Sequence, residues 1–342
     1  MVGLHEAEFW EPLAEGKVRC NLCRFHCTIA AGRHGLCGVR ENRAGRLYTL
    51  VYGRCIAEHV DPIEKKPLFH FLPGSRSLSV ATVGCNFRCL HCQNADISQW
   101  PQTNRQIPGR DAPPEALVAQ ALENRCASIS YTYTEPTVFF EYARATAVKA
   151  RAAGLQNVFV TNGYTSSQAL EAIAPWLDAA NVDLKGFDDA AYRRVTGASL
   201  DGVLACLRDY RRLGIWLEVT TLVIPGHNDD TGQLRKIADF IAVELGVETP
   251  WHVTAFHPAY KMLDRPATPL NRLLEARQVG RDAGLQYVYL GNVAASGGED
   301  TLCPGCGATV VRRGGMRLLE VHLDHGRCVV CQQPIAGRFV SL

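Results

Sequence analysis

Three cysteines with the spacing Cys-x3-Cys-x2-Cys form the most informative group in this sequence. They are Cys85, Cys89 and Cys92, and they follow a short apolar run that ends at Gly84. Three thiolates without a nearby fourth can hold three irons of a 4Fe–4S cluster and leave one iron open to a ligand. The alternative is a zinc site in which His91 supplies the fourth ligand. We favour the cluster because the group follows an early strand, where the functional loops of barrels lie.

Most of the 14 cysteines occur in close pairs, which favours metal binding over disulfides. The chain has four Cys-x2-Cys pairs, whereas chance at this composition predicts about 0.6. Disulfide-stapled domains are usually short and secreted, and the stretch 1–10 is acidic and lacks the apolar core of an export signal. Three isolated cysteines are expected to be ordinary buried side chains; they are Cys55, Cys126 and Cys206.

The last two cysteine pairs predict a zinc ribbon. Cys303 and Cys306 are separated from Cys328 and Cys331 by 21 residues, and each pair is expected on a tight turn that presents both sulfurs to one ion. A rubredoxin-like single iron and an empty thiol site are the alternatives. Because so short a segment builds little core, the metal would supply much of its folding free energy. We expect a structural or partner-contact role.

A further group of four cysteines lies near the start of the chain, with the spacing Cys-x2-Cys-x3-Cys-x9-Cys. This spacing admits either a structural zinc ion or an auxiliary iron–sulfur cluster. His26 and His34 could each replace one thiolate. The four cysteines are Cys20, Cys23, Cys27 and Cys37.

The middle of the chain predicts an α/β fold. From about residue 76 to 295, apolar strand-like runs alternate with amphipathic helical runs in at least six βα units, which imply a parallel sheet with right-handed crossovers. A full or partial (β/α) barrel is preferred over a doubly wound sheet. We expect three regions: an N-terminal cysteine-rich module (1–75), the barrel (76–295) and a C-terminal zinc-ribbon-like module (296–342).

Polar residues follow successive predicted strands, at the end of the barrel where function is expected. They come from six different strands and from the loops directly after them. These residues are Cys85, Glu135, Asn162, Lys185, His227, Asn228 and His257.

The Cys85–Cys92 motif, placed after the first barrel strand, resembles the signature of the radical S-adenosylmethionine (radical SAM) superfamily. The resemblance implies that the open iron chelates the amino and carboxylate groups of S-adenosyl-L-methionine (SAM). One electron from the reduced cluster then cleaves the sulfonium bond and gives methionine and a 5′-deoxyadenosyl radical, which abstracts hydrogen from a substrate. A reductant such as a flavodoxin or ferredoxin is also implied.

The strand-end residues fit the expected cofactor site. Thr134-Glu135-Pro136 resembles the family's Gly-Gly-Glu-Pro stretch, which implies that Glu135 binds the amino group of SAM, and Asn162 is expected beside it. Asp183-Leu184-Lys185 resembles the Asp-Leu-Lys of glycyl-radical-enzyme activases, which implies that Lys185 meets the methionyl carboxylate and Asp183 positions the cofactor. His257 resembles their SAM-contacting histidine. The alternatives are a rim salt bridge for Lys185 and a structural role for His257.

A closer resemblance is to the AmmeMemoRadiSam system radical SAM enzymes. That family is similar to pyruvate formate-lyase activating enzyme and is encoded beside AMMECR-like and MEMO-like proteins. The resemblance therefore implies that these proteins are partners. In activases auxiliary clusters follow the radical SAM motif, so the earlier position of the N-terminal group favours zinc. The matching motifs include Cys20–Cys27, Gly35–Arg40, Asp61–His70, Cys92–Asn94, Val160–Gly163, Ile224–Asp229, Trp251–Pro258 and Tyr289–Asn292.

Composition limits the remaining function classes. With 36 Lys+Arg against 34 Asp+Glu and a net charge of +2, there is no electrostatic case for nucleic acid or membrane binding, and a cytoplasmic protein is expected. We therefore predict a radical SAM oxidoreductase with an unidentified substrate. One rival is an activase that installs a glycyl radical on a partner enzyme, and a rival of another class is a non-catalytic zinc-binding scaffold.

Overall fold

Short antiparallel strands make up the first part of the chain in the computed structural model, which describes residues 4–104 and 106–339. Two three-stranded sheets form here, with the orders β1-β6-β5 and β2-β3-β4. The strands are β1 (His5–Glu6), β2 (Trp10–Pro12), β3 (Val18–Cys20), β4 (Thr28–Ile29), β5 (Arg40–Arg43), β6 (Arg46–Thr49) and β7 (Arg54–Cys55).

One large sheet organises the centre. The next strands are β8 (Ala57–Pro62), β9 (Arg76–Ala81), β10 (Arg110–Asp111), β11 (Ser128–Tyr131), β12 (Gln156–Thr161), β13 (Ala179–Asp183), β14 (Trp216–Val223), β15 (Trp251–Ala255) and β16 (Val288–Gly291). All except β10, which pairs with β7, join in the order β8-β9-β11-β12-β13-β14-β15-β16.

The sheet confirms the α/β prediction. The strands from β9 to β16 are parallel, and β8 is antiparallel to β9. In the described part of the chain β8 and β16 are the two edges and do not pair with each other, so the sheet is open and a fully closed barrel is not formed. The strand β8 joins the sheet from within the predicted N-terminal module.

Helices alternate with the parallel strands, as the periodicity predicts. Ser166, Asp188, Ser199 and Asp230 each accept a backbone N–H at the start of a helix, which satisfies a donor that the helix itself leaves free. The helices are α1 (Ala95–Ser98), α2 (Trp100–Thr103), α3 (Pro114–Glu123), α4 (Phe140–Ala152), α5 (Ser167–Ile173), α6 (Asp189–Thr196), α7 (Leu200–Arg212), α8 (Thr231–Phe240) and α9 (Leu270–Asp282). Single 3-10 turns cover Ala14–Gly16, Ile63–Lys65, Pro136–Phe139 and Ala174–Trp176, and α8 continues as a π-helix over Ile241–Leu245.

The last part of the chain forms two small antiparallel sheets, β17-β18-β19 and β20-β21. Their apolar side chains pack with Phe69, Tyr287 and Tyr289, so the segment rests on the loop after β8 and on the edge strand β16. Among the described residues no helix is long and apolar enough to cross a membrane. The strands are β17 (Thr301–Leu302), β18 (Thr309–Arg313), β19 (Leu318–Val321), β20 (Leu323–Asp324) and β21 (Arg327–Cys328).

Candidate functional site

The three-cysteine loop follows β9 and is fixed by its backbone. The Arg88 N–H donates to the Thr196 carbonyl at 2.7 Å, and the Leu90 N–H donates to the Val195 carbonyl at 3.0 Å. Both acceptors belong to the last turn of α6, where carbonyls have no partner within the helix. The side chain of Phe87 is buried. The loop is therefore anchored on both faces and presents its cysteines from a fixed backbone.

A cavity of about 450 Å³ opens at the carboxyl ends of the parallel strands, where ligands of parallel α/β sheets bind. Its volume falls within the range of small-molecule sites. Seven of the predicted residues line it, together with side chains from β14 and β15. The lining includes Cys85, Cys89, Cys92, His91, Glu135, Asn162, Asp183, Lys185, Thr220, Thr254 and Asn292.

The three thiols do not form a compact group of the kind that a single zinc ion requires. In a tetrahedral zinc site the ligand atoms lie about 4 Å apart, because each is about 2.3 Å from the metal. Among the described residues, no three of Cys85, Cys89, Cys92 and His91 bring their ligand atoms within 4.8 Å of one another. A cluster binds each thiolate to a separate iron, which needs the wider spacing.

His91 is buried, and neither ring nitrogen has a hydrogen-bond partner within the described ranges 4–104 and 106–339. Burial and the nearby Lys185 ammonium lower the pKa of His91 to about 3, so its ring is neutral. Burial also raises the pKa of Cys89 to about 12. The thiol is therefore protonated without metal, and metal binding must release its proton.

Glu135 ties two strand ends together. One carboxylate oxygen accepts from the Thr137 N–H at 3.0 Å, the Thr137 hydroxyl at 2.6 Å and the Thr161 hydroxyl at 2.7 Å, and the other accepts from the Asn162 N–H at 2.8 Å. Burial raises the pKa of Glu135, and these donors oppose the rise. The carboxylate therefore holds the loop after β12 in place at the cavity wall.

Asp183 and Lys185 form an ion pair at the end of β13, with 2.7 Å between Oδ2 and Nζ. Burial alone would lower the pKa of Lys185, but the nearby carboxylate of Asp183 opposes burial and the pKa is raised. Lys185 is therefore charged at neutral pH. A charged ammonium beside an accessible carboxylate can bind a ligand that carries both an anionic and a cationic group.

Two buried oxygen atoms in the cavity wall have no partner among the described residues. They are Oδ1 of Asn162 and Oγ1 of Thr220. The Asn162 amide nitrogen donates to Asn86 Oδ1 at 2.8 Å and contacts Cys85 Sγ at 3.7 Å, which leaves the oxygen free for a ligand. A buried polar atom without a partner is costly, so both oxygens are available to a molecule bound in the cavity. The strand-end pattern missed Thr220, because the residue lies within β14.

Three other predicted residues lie outside this cavity lining. His257 is exposed, and its Nε2 is 3.3 Å from the Asn292 carbonyl at the rim. Asn228 is buried and donates to the carbonyls of Lys185 at 3.0 Å and Leu222 at 2.9 Å, which connects neighbouring strand ends. His227 lines a separate cavity of about 220 Å³.

The four C-terminal thiols come together as one compact group. Their sulfur atoms all lie within 4.8 Å of one another, with 3.5 Å between Cys303 and Cys331 and 3.7 Å between Cys306 and Cys328. This spacing suits one tetrahedral metal ion. Gln332, where a glycine is usual, takes a left-handed φ of 62°, so its turn keeps the expected shape at some backbone cost.

The N-terminal cysteines also share a site. Their side chains line one largely enclosed cavity beside the three-cysteine loop. The two predicted alternatives to a thiolate lie outside its lining: His26 contacts Asn21 Oδ1 at 3.1 Å, and His34 is exposed. The four that line the cavity are Cys20, Cys23, Cys27 and Cys37.

Comparisons with known proteins show which family the chain resembles. Residues 79–241 match the family described as the radical SAM superfamily. An uncharacterized protein of Methanocaldococcus jannaschii is 46% identical over 334 residues, which cover 97% of this chain and 99% of that protein. The pyruvate formate-lyase-activating enzyme of Clostridium pasteurianum is 23% identical over 200 residues, 56% of this chain and 81% of that enzyme.

Among solved structures, a radical SAM methyltransferase from Sphaerobacter thermophilus has a similar fold, with a TM-score of 0.50 and 16% identity over 64% of this chain and 67% of that chain. The family match spans the three-cysteine loop and the strands up to α8. Cys85, Cys89 and Cys92 lie within the matched residues. The chain belongs to the radical SAM superfamily, is related to the pyruvate formate-lyase activating enzymes, and is a radical SAM enzyme.

Proposed function

We propose that this enzyme binds a 4Fe–4S cluster through Cys85, Cys89 and Cys92, cleaves SAM reductively, and removes hydrogen from a substrate yet to be identified. The observation that carries the proposal is that Cys85, Cys89 and Cys92 all line one cavity of about 450 Å³ at the strand ends. The cluster would supply one electron to the sulfonium bond of SAM, which yields methionine and the 5′-deoxyadenosyl radical.

The residues around the thiols fit the polar groups of SAM. Lys185 offers a charged donor to a carboxylate, and Asp183 offers an acceptor to an ammonium group. The free oxygens of Asn162 and Thr220 provide two further acceptors inside the cavity. Glu135 acts as a positioning residue, because its own oxygens hold the loop that carries Asn162. In this proposal His257 lies at the rim and does not contact the cofactor directly.

A second candidate function is the installation of a glycyl radical on a partner enzyme. It is favoured by the similarity to the pyruvate formate-lyase-activating enzyme, which extends over 81% of that relative. The cavity would then admit a peptide segment of the partner. Deuterium transfer from a labelled glycine peptide into 5′-deoxyadenosine would support this function, and transfer only from small molecules would count against it.

The finer assignments complete the proposal. We place the chain in the AmmeMemoRadiSam group because the quoted motifs extend from residue 20 to 292, with AMMECR-like and MEMO-like proteins as partners and a flavodoxin or ferredoxin as the reductant. The compact C-terminal thiol group is proposed to bind zinc, since zinc prefers tetrahedral sulfur ligands. The division at residues 75 and 295 and a cytoplasmic location remain predictions.

The test is anaerobic SAM cleavage by the reconstituted enzyme. Single Cys→Ala changes at positions 85, 89 and 92 should abolish the release of methionine and 5′-deoxyadenosine. The matched control is Cys126→Ala, because Cys126 is an isolated buried cysteine that lies in none of the three groups. Turnover retained by any of the three variants, or lost equally in the control, would contradict the proposed role of the motif.

A further inference from the structure

We infer that Cys20, Cys23, Cys27 and Cys37 bind a second iron–sulfur cluster, in place of the zinc ion that their position in the sequence favours. This inference goes beyond the proposed SAM chemistry. It rests on the spacing of four thiols, on the charge beside them and on their position next to the three-cysteine loop.

The four N-terminal thiols are less compact than the four C-terminal thiols, which have the spacing expected for one shared metal ion. The C-terminal thiols lie within 4.8 Å of one another, whereas in the part of the chain that the structure describes no three of the N-terminal thiols do. The same is true of Cys85, Cys89 and Cys92. One zinc ion needs four sulfurs at about 2.3 Å from a common centre. Four thiolates that each bind a separate iron occupy the corners of a larger group.

A buried cation faces the same cavity. Arg40 is 1% exposed and lines the cavity with the four cysteines. Its Nη2 is 3.0 Å from Glu141 Oε1 and donates to the Glu8 carbonyl at 2.5 Å. Its Nε and Nη1 have no partner among the described residues. Two unpartnered buried donors are costly. A cluster bound by the four thiolates would accept hydrogen bonds from Nε and Nη1 of Arg40, and the guanidinium would offset part of its negative charge.

The cavity also adjoins the radical SAM motif. Asn86, the residue after Cys85, lines the N-terminal cavity, and its buried Nδ2 has no hydrogen-bond partner in the described part of the chain. Its Oδ1 accepts from Asn162 at 2.8 Å, so a single side chain lies between the two cysteine groups. A donor directed into a site of four thiols can donate to a cluster sulfur, a contact that tunes iron–sulfur centres.

The contact between the two loops is close along their backbones. Gly84 has a φ of +100°, and a Cβ there would lie 2.6 Å from Val39 Cγ1 and 3.1 Å from the Cys37 carbonyl. The Arg88 guanidinium donates to the Leu36 carbonyl, and the rings of Phe25 and Phe87 meet edge to face with 6.4 Å between centroids. The N-terminal site is therefore held firmly against the loop of the first cluster.

Metal and sulfide analysis after anaerobic reconstitution tests the inference. The triple variant C85A/C89A/C92A removes the first cluster and leaves the N-terminal cysteines intact. It should keep about four irons, about four sulfides and about one zinc per chain, and it should absorb at about 400 nm. A colourless triple variant without sulfide, and with about two zincs per chain, would overturn the inference. Sulfide distinguishes a cluster from a single iron bound by the C-terminal thiols.

The complementary variant is Cys37→Ala in the otherwise wild-type chain. Iron should fall from about eight to about four per chain, and Cys126→Ala should keep about eight. Wild-type protein with about four irons that Cys37→Ala leaves unchanged would overturn the inference. Because the triple variant needs no SAM cleavage, failure of the proposed function and failure of this inference give different results.

Discussion

Lys185 Nζ lies 2.7 Å from Asp183 Oδ2 at the end of β13, and both side chains line the cavity. The lysine is the more enclosed partner, with 14% of its side chain exposed against 35% for the aspartate. The pair therefore holds a fixed positive charge near the three-cysteine loop and an acceptor that is open to a ligand.

Replacing this lysine should weaken SAM binding while the iron content stays unchanged. A hydrogen bond to a charged group contributes about 1.5–3 kcal/mol, so Lys185→Met should raise the SAM dissociation constant about tenfold to a hundredfold. Anaerobic titration calorimetry on reconstituted enzyme measures this constant. Lys149→Met is the matched control, because Lys149 forms a 2.7 Å pair with Glu115 at the surface. Equal affinities in both variants would refute the assigned contact.

Glu135→Gln should destabilise the folded enzyme and loosen the loop after β12. The amide would present N–H donors where the carboxylate accepts four hydrogen bonds from three residues. We expect a loss of about 1–3 kcal/mol of unfolding free energy, measured by anaerobic denaturant unfolding. Glu123→Gln, at an exposed position near the end of α3, is the control. A loss no larger than in this control would show that the carboxylate is not needed to hold the loop.

Acid should destabilise the protein through His70. Burial lowers the pKa of His70 to about 4, although Glu218 opposes the shift. Between about pH 6.5 and 4 the unfolded chain takes up a proton at this position that the folded chain does not. Stability therefore falls as pH falls through this window, by as much as about 3 kcal/mol, and is unaffected by this group above it.

The variant His70→Gln isolates that contribution. His70 Nδ1 is 2.6 Å from the Ala336 carbonyl, and its Nε2 is 2.5 Å from the Tyr289 hydroxyl. The variant should be less stable than wild type at pH 7, and the difference should shrink toward pH 4.5. Comparing the two proteins cancels the acid sensitivity of the metal sites, which both share. Parallel stability curves across the window would exclude His70 as the source, and His325→Gln at an exposed position serves as control.

Loss of the C-terminal metal should lower stability more than it lowers SAM cleavage. Cys306→Ser removes one of the four thiols, so zinc should fall by about one ion per chain. The thermal midpoint should fall by several degrees, because metal binding contributes folding free energy. The rate of SAM cleavage per iron–sulfur cluster should persist, since the four C-terminal cysteines are not part of the lining of the 450 Å³ cavity. Unchanged zinc content would disprove the proposed ligand set.

The parallel strands were predictable because they are buried on both faces and read as apolar runs. Ile129 in β11 and Val158 in β12 are fully buried. The strand β8 was not predicted as part of the sheet, since Ala57–Pro62 carries three charged or titratable residues. Its buried Asp61 pairs with Lys65 at 2.8 Å and Lys66 at 2.7 Å and also accepts from the Ser79 hydroxyl at 2.8 Å. The contact with Ser79 joins β8 to β9, so no local pattern contains it. The helix α6 was also missed, because its run is short and mostly polar.

The residues of the candidate site that directly follow a strand were predictable from the sequence. Residues directly after a strand, such as Asn162 and Lys185, fall at one end of any parallel sheet. Directly after β15, Phe256 is buried and His257 is exposed. The sequence places both residues at the strand end but does not show which of the two side chains faces inward. Asn86 lines the cavity of the N-terminal cysteines from a different loop, so the spacing of those cysteines gives no signal for it.

The tie between His70 and Ala336 has a consequence for biosynthesis. The two residues are 266 positions apart, and the Arg338 N–H also donates to the His70 carbonyl at 2.7 Å. Until residues 336–338 have been synthesised, the imidazole lacks this carbonyl partner and the loop after β8 lacks this cover. The loop that carries Lys65 and Lys66 to the cavity wall is therefore secured later in synthesis than the eight strands of the central sheet, which all precede these residues in the chain.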